Sequence, residues 1–91
     1  MSSSKPWLSI VVPAYNAELF LEECVSSFGL DENPDVEAIV VDDGSTDDTP
    51  GICDRLASRS ANVKVIHRDN GGSPSARNAG CLRAEGNWIW F

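Results

Sequence analysis

Val36-Glu-Ala-Ile-Val-Val41 runs straight into Asp42-Asp-Gly-Ser-Thr-Asp-Asp48. A short apolar run rich in β-branched residues reads as a strand buried on both faces. The polar stretch after it predicts a turn. Ser45, with Asp48 three residues on, predicts a capping box, and Pro50 suits a first helical turn. Ile52, Cys53, Leu56 and Ala57 then share one face of a helix. The unit is strand, turn, helix, and it recurs on either side. Upstream, Leu8-Ser-Ile-Val-Val12 predicts a strand that Pro13 ends. Apolar residues at Phe20, Leu21, Cys24, Val25 and Phe28 predict a helix over Ala17 to Phe28, with Asn16 as N-cap and Gly29 as terminator. Downstream, Val63-Lys-Val-Ile66 predicts a third strand. In the following loop, Asn70-Gly-Gly-Ser-Pro74, Ser73 can cap a helix that has Pro74 in its first turn. Ala76, Ala79, Gly80 and Ala84 give that helix a small-residue face, suited to close packing on a sheet. Gly86 stops it, and Trp88-Ile-Trp-Phe91 begins a fourth strand.

The order β-α-β-α-β-α-β predicts an α/β fold with a Rossmann-like, doubly wound, mostly parallel sheet. Ligands of such sheets bind beyond the carboxyl ends of the strands. The loops to read are therefore Pro13–Asn16, Asp42–Thr46 and Arg68–Ser73. Residues 1–7 read as a disordered lead, and residues 8–91 carry the pattern.

Composition narrows the possibilities. The chain has 91 residues, 42% of them hydrophobic, which is too apolar for disorder and short enough for one domain at most. No run of about 18 apolar residues predicts a membrane span, and the N-terminus lacks the apolar core of a signal peptide. Acids outnumber bases 14 to 7. That balance argues against a nucleic-acid partner. The acids concentrate in residues 1–48, whereas Arg55, Arg59, Lys64, Arg68, Arg77 and Arg83 fall in the second half. Cys24, Cys53 and Cys81 lack the spacing of a disulfide framework or a metal site. They read as buried thiols in helices, which points to a reducing cytoplasm.

The first loop, Pro13-Ala14-Tyr15-Asn16, has no glycine, so neither a dinucleotide fingerprint nor a P-loop is present. Tyr15 instead offers an aromatic surface at a strand end, or a packing tyrosine. Asp42 and Asp43 stand together at a buried strand end, where carboxylates are costly unless paired or solvated at a site. Such a group can accept from ribose hydroxyls or a base N–H; the alternative is a loop and cap role. A phosphatase D-x-D-G-T is excluded, because its first aspartate would fall at Val41. Gly71 and Gly72 let a loop approach a flat or anionic ligand. Arg77 lies about one turn inside the third helix, where a guanidinium suits phosphate or a pyrimidine carbonyl. Its alternative is a surface pair with Asp42 or Asp43. His67 reads as a surface or structural residue. An aromatic, a carboxylate and an arginine on neighbouring strand ends suit a nucleotide better than a bare phosphate.

Three segments carry a family resemblance: Ser9-Ile-Val-Val-Pro-Ala-Tyr-Asn16, Ile39-Val-Val-Asp-Asp-Gly-Ser-Thr-Asp47, and Asn70-Gly-Gly-Ser-Pro-Ser-Ala-Arg-Asn-Ala-Gly80, with Ala84-Glu-Gly86 before the last strand. In that order and spacing the chain resembles the N-terminal, nucleotide-binding part of an inverting glycosyltransferase of family 2, with the GT-A fold. The resemblance implies sugar transfer from a nucleotide-sugar, often UDP-linked, to a hydroxyl of a glycan or lipid-linked acceptor. It implies that Pro13, Ala14 and Tyr15 contact base and ribose, with Tyr15 stacking. It implies that Asp43, with Asp42 beside it, hydrogen-bonds the base, and that Gly71, Gly72 and Arg77 line the same pocket. It further implies a D-x-D motif holding Mg²⁺ or Mn²⁺ and a general base, both expected beyond Phe91. No D-x-D lies within these residues. The expectation is thus a partial domain that binds nucleotide at most and holds no metal or catalytic base of its own. The full-length protein is expected in the cytoplasm or at the inner face of the membrane. A noncatalytic nucleotide-binding module is the alternative, and the apolar last strand could pair edge to edge in a dimer. Asp43→Ala is expected to weaken nucleotide binding while melting like the native chain.

Overall fold

A computed structural model describes residues 6–91. The expected lead falls mainly on residues 1–5, outside the described residues. Trp7 is already tied in: its N–H donates to the Asp35 carbonyl at 2.8 Å, and its own carbonyl accepts from Trp88 N–H at 2.9 Å. The elements are β1 (Leu8–Ala14), α1 (Leu21–Ser26), β2 (Val36–Asp43), α2 (Thr49–Arg59), β3 (Val63–Arg68), α3 (Ser73–Arg83) and β4 (Trp88–Trp90). All strand pairs are parallel, in the order β3-β2-β1-β4. The chain steps outward from β1 to β3, then crosses back to the far side of β1. This is the doubly wound α/β sheet expected.

Pleating sorts the core into two layers. Leu8, Ile10, Ala14, Ala38 and Val40 pack with Leu21, Val25, Ile52, Cys53 and Leu56 of α1 and α2. Val11, Ile39 and Val41 face the other way and pack on Ala76 of α3. Alternate residues of a strand point to opposite faces, so β2 must be apolar on both. All eight of its residues are buried. The small-residue face of α3 does what its composition predicts. A Cβ on Gly80 would collide with the Val11 side chain, so glycine sets how closely this helix lies on β1.

Several boundaries differ from the sequence expectation. Pro13 does not end β1; it lies inside the strand, in register with Val41. It is tolerated because β4 pairs only with Leu8 to Ile10, leaving no partner strand to need its missing N–H. The first helix is far shorter than Ala17–Phe28. Residues 17–20 form a turn, with Leu21 N–H bonded to the Ala17 carbonyl at 2.9 Å, and Phe20 occupies the N-cap. Phe20 and Cys24 are consequently exposed rather than core. Cys53 is buried as expected, and Cys81 is half-buried. Gly72, not Ser73, is the N-cap residue of α3.

A buried polar cluster anchors the amino ends of the strands. Glu37 is 5% exposed. Its Oε2 accepts from Ser9 Oγ at 2.5 Å and Glu85 N–H at 2.8 Å, while Lys64 Nζ lies 2.9 Å from Oε1. Ser9 Oγ in turn accepts from Gly86 N–H at 2.9 Å. A Cβ on Gly86 would stand 2.6 Å from that hydroxyl, so the crossing into β4 requires glycine. This cluster fixes where β4 starts beside β1.

Candidate nucleotide site

The strand order places a topological switch point between β1 and β4, and ligands of open α/β sheets sit in the crevice there. Three loops meet at that end. The first leaves β1 at buried Ala14 and presents Tyr15, which is 53% exposed. Asn16 follows with φ +50°, a left-handed geometry that asparagine tolerates. It does not cap α1. Its Oδ1 accepts instead from the N–H groups of Thr46 (2.8 Å) and Asp47 (3.3 Å), and its own N–H donates to Ser45 Oγ at 3.0 Å. Ala17 N–H donates to Thr49 Oγ1 at 2.8 Å. The loops after β1 and β2 are thereby stitched together. This use of Ser45 also displaces the expected capping box: Asp48 makes no side-chain cap, and Thr49 N–H donates to Asp47 Oδ1 at 2.8 Å.

The second loop starts from the aspartate pair. β2 continues through both residues, two further than the apolar run. Adjacent residues of a strand diverge, so the two carboxylates do not share one site. Asp42 lies on the α2 side, where Oδ1 accepts from Ser45 N–H at 3.1 Å and Oδ2 lies 2.8 Å from His67 Nδ1. Burial alone would raise its carboxyl; the hydrogen bonds from His67 and Ser45 outweigh that and hold it below the usual range. Asp43 lies on the α3 side. Its carboxylate accepts from Gly71 N–H at 3.0 Å and Gly72 N–H at 2.9 Å, with Arg68 Nε 3.5 Å away. Gly44 turns the chain with φ +74°, and a Cβ there would stand 2.5 Å from the Asn70 nitrogen.

The third loop is thus held by Asp43, and its Asn70 Nδ2 donates to the Asp43 carbonyl at 3.0 Å. Arg68 Nη2 donates to Ser75 Oγ at 2.6 Å. Arg77 pairs with neither aspartate. Its guanidinium carbon lies 5.9 Å from the centroid of the Phe91 ring, the residue after β4, in a cation–π contact. The sites inferred from sequence therefore fall in two groups. Asp43, Gly71 and Gly72 are in direct contact. Pro13 and Ala14 register against Val41 and Asp42, and Tyr15 and Arg77 stand exposed on the rim.

Asn16, Ser45, His67 and Arg68 were not in that set. The signal for the last two was register: Asp42 pairs with His67 and Asp43 with Arg68, opposite charges on neighbouring strands. Because Asp43 holds a loop in place, an Asp43→Ala chain is not expected to melt like the native one, which corrects the sequence expectation. Among the described residues no three His, Cys, Asp or Glu side chains are grouped to hold a metal ion.

A parallel α/β sheet that presents a glycine loop, a carboxylate and an exposed tyrosine at the carboxyl ends of its strands belongs to the open α/β class that takes ligands at this edge. Comparison with known proteins makes this specific. Residues 9–91 match Glycosyl transferase family 2, and the chain belongs to that family. The uncharacterized glycosyltransferase EpsJ of Bacillus subtilis is 45% identical over 86 residues, covering 94% of this chain and 25% of EpsJ. The crystal structure of S. aureus TarS 1–349 in complex with UDP superposes with TM-score 0.79 at 33% identity, over 94% of this chain and 26% of that one. The mannosyltransferase PcManGT from Pyrobaculum calidifontis, in complex with GDP-Man and Mn²⁺, gives TM-score 0.76 at 25% identity, over 90% of this chain and 25% of that one. These GT-A neighbours share the Rossmann-like sheet. The chain spans about a quarter of the length of the first relatives it matches.

Proposed function

We propose that this chain is the nucleotide-binding part of a glycosyltransferase that moves a sugar from a UDP-linked donor to a hydroxyl of a glycan or lipid-linked acceptor. In this reading the acceptor oxygen displaces the nucleoside diphosphate from the anomeric carbon in one step, inverting it. The hydroxyl proton passes to a base as the nucleoside diphosphate leaves with the bonding electron pair; a divalent Mg²⁺ or Mn²⁺ held by the whole protein would supply charge neutralisation to that diphosphate. In this reading the base and the metal ligands are not among the described residues, and the whole protein works in the cytoplasm or at the inner face of the membrane. One observation carries the reading: Asp43 holds Gly71 and Gly72 at the end of β2, one strand from exposed Tyr15, whose aromatic face is open to a base.

Titration calorimetry with UDP and Mg²⁺ tests it. Saturable binding is expected, and Tyr15→Ala is expected to weaken it about tenfold, the scale of one lost base–aromatic stack. Tyr15 is exposed, so the variant's melting should not change. Absence of heat with UDP, or a Tyr15→Ala chain that binds equally well, would overturn the assignment.

A second reading concerns β4. Trp88, Trp90 and Phe91 are 67%, 63% and 65% exposed on or beside the edge strand of the sheet. Unpaired, apolar strand edges recruit other strands. In this reading two copies pair through β4. Sedimentation at rising concentration should show a dimer that Trp90→Lys abolishes; a native chain monomeric throughout would end this reading.

A further inference from the structure

His67 is the chain's single histidine, and the nucleotide reading leaves it without a role. It lies at the end of β3 between two carboxylates. Nδ1 is 2.8 Å from Asp42 Oδ2, and Nε2 is 2.8 Å from Asp54 Oδ1 on α2. Ionised carboxylates only accept, so with both partners ionised both ring nitrogens donate, which only an imidazolium can do. A neutral ring has one N–H and must abandon one partner. Beyond Asp42 the contacts continue: Asp42 Oδ1 accepts Ser45 N–H at 3.1 Å, and Ser45 Oγ accepts Asn16 N–H at 3.0 Å. Asn16, in its left-handed geometry, adjoins Tyr15.

We propose that His67 is a positioning residue for the nucleotide pocket: held between Asp54 and Asp42, its charged ring fixes the carboxylate that orders Ser45 and, through Ser45, the Tyr15–Asn16 loop. The proposal rests on the reading that this loop holds the nucleotide. It goes beyond that reading by making the loop's order depend on pH. Hydrogen bonding to Asp42 and then to Asp54 holds the imidazole above its ordinary value of 6.5, against the opposing effect of burial. The stability that this charge contributes is therefore complete below 6.5 and lost as pH rises through the raised folded value. Asp42 behaves oppositely: its contribution is present above its ordinary 3.8 and lost as pH falls through the lowered folded value. The linkage is intact between the two. The charged groups that face the ring are Asp42 from β2 and Asp54 from α2. The Cys53 thiol is pushed up to about 12, first by burial and then by the charges of Asp42 and Asp54, so it stays neutral throughout.

The test follows the His67 ring and the Ser45 and Asn16 amides by NMR across about pH 5 to 9 on the ligand-free chain. One midpoint above 6.5, shared by all three signals, is expected, and Asp54→Asn should lower it for all three together. In parallel, calorimetry measures UDP-GlcNAc, a nucleotide diphosphate-sugar without the terminal phosphate that titrates near pH 6. Its affinity should fall roughly tenfold across the same midpoint, the scale of one lost hydrogen bond. Amides that stay flat while the ring titrates, a midpoint at or below 6.5, or a pH-independent affinity would overturn the proposal. No heat at any pH overturns the nucleotide reading and with it the pocket role of His67. Co-titrating amides would still establish the link from ring to loop, so the two failures are told apart.

Discussion

Replacing Glu37 by alanine is expected to lower the melting temperature by on the order of 15 °C. Glu37 is the hub of the cluster that fixes the entry to β4. Its removal takes away the Lys64 ion pair, the Ser9 hydroxyl bond and the Glu85 N–H bond at once. Taking one partner from a buried charge pair costs about 3 kcal/mol; here the Glu85 N–H loses its acceptor, while Lys64 keeps only the longer 3.5 Å contact with Glu85. Burial alone would raise the Glu37 carboxyl. The Glu85 N–H, the Ser9 hydroxyl and Lys64 outweigh burial and hold it below the ordinary 4.5. The stability it contributes is therefore present above 4.5 and lost as pH falls through the lowered folded value. Burial alone would lower Lys64, but Glu37 and then Glu85 outweigh it and raise the amine above its ordinary 10.5, so its contribution is present below 10.5 and lost as pH rises further. Thermal melts between those limits should show the full deficit of Glu37→Ala. Under strong acid the native chain should approach the variant, since the carboxylate is then neutral in both states. Glu37→Gln keeps the shape and an acceptor but loses the charge, so about half the deficit is expected. An alanine variant that melts within about 2 °C of native would show that the cluster is dispensable.

The fold was legible because its signals were local and repeated. Val36–Val41 read as a strand covered on both sides, and Ala76, Ala79 and Gly80 as a helix face suited to close contact. What sequence reading missed lay at the ends of elements, where the deciding partner is distant. Apolar pattern stops β2 at Val41 and β3 at Ile66, yet both strands continue for two polar residues, because Asp42 meets His67 and Asp43 meets Arg68 in register. Nothing within either segment announces that pairing. Asn16 looked like a helix cap by position, but the nearest unsatisfied N–H groups belonged to Thr46 and Asp47, thirty residues away in the chain and adjacent in space. The aspartate pair was read as one site from its spacing. The pleat of a strand that continues through it makes two sites, one bracing each flanking loop.

That division governs what loss of Asp43 should do. Asp43→Ala is expected to lower the melting temperature by roughly 10 °C and UDP affinity at least about tenfold. The carboxylate is 4% exposed and accepts from two consecutive backbone N–H groups, those of Gly71 and Gly72. Alanine leaves both donors, and the half-buried Arg68 guanidinium, without their acceptor; bonds to a charged group are worth about 1.5–3 kcal/mol. Stability and binding should fall together, because the loop that Asp43 holds is the loop proposed to approach the ligand. Asp42→Ala separates the two aspartates. It frees Ser45 and His67 on the opposite face, so it should disturb the Ser45 and Asn16 amides and leave those of Gly71 and Gly72 in place. Asp43→Ala should do the reverse. Amide spectra of the two variants decide the matter: overlapping sets of shifted signals would mean that the carboxylates act as one site after all. A native-like melt for Asp43→Ala with binding lost would mean that the carboxylate meets the nucleotide directly rather than through the loop it braces.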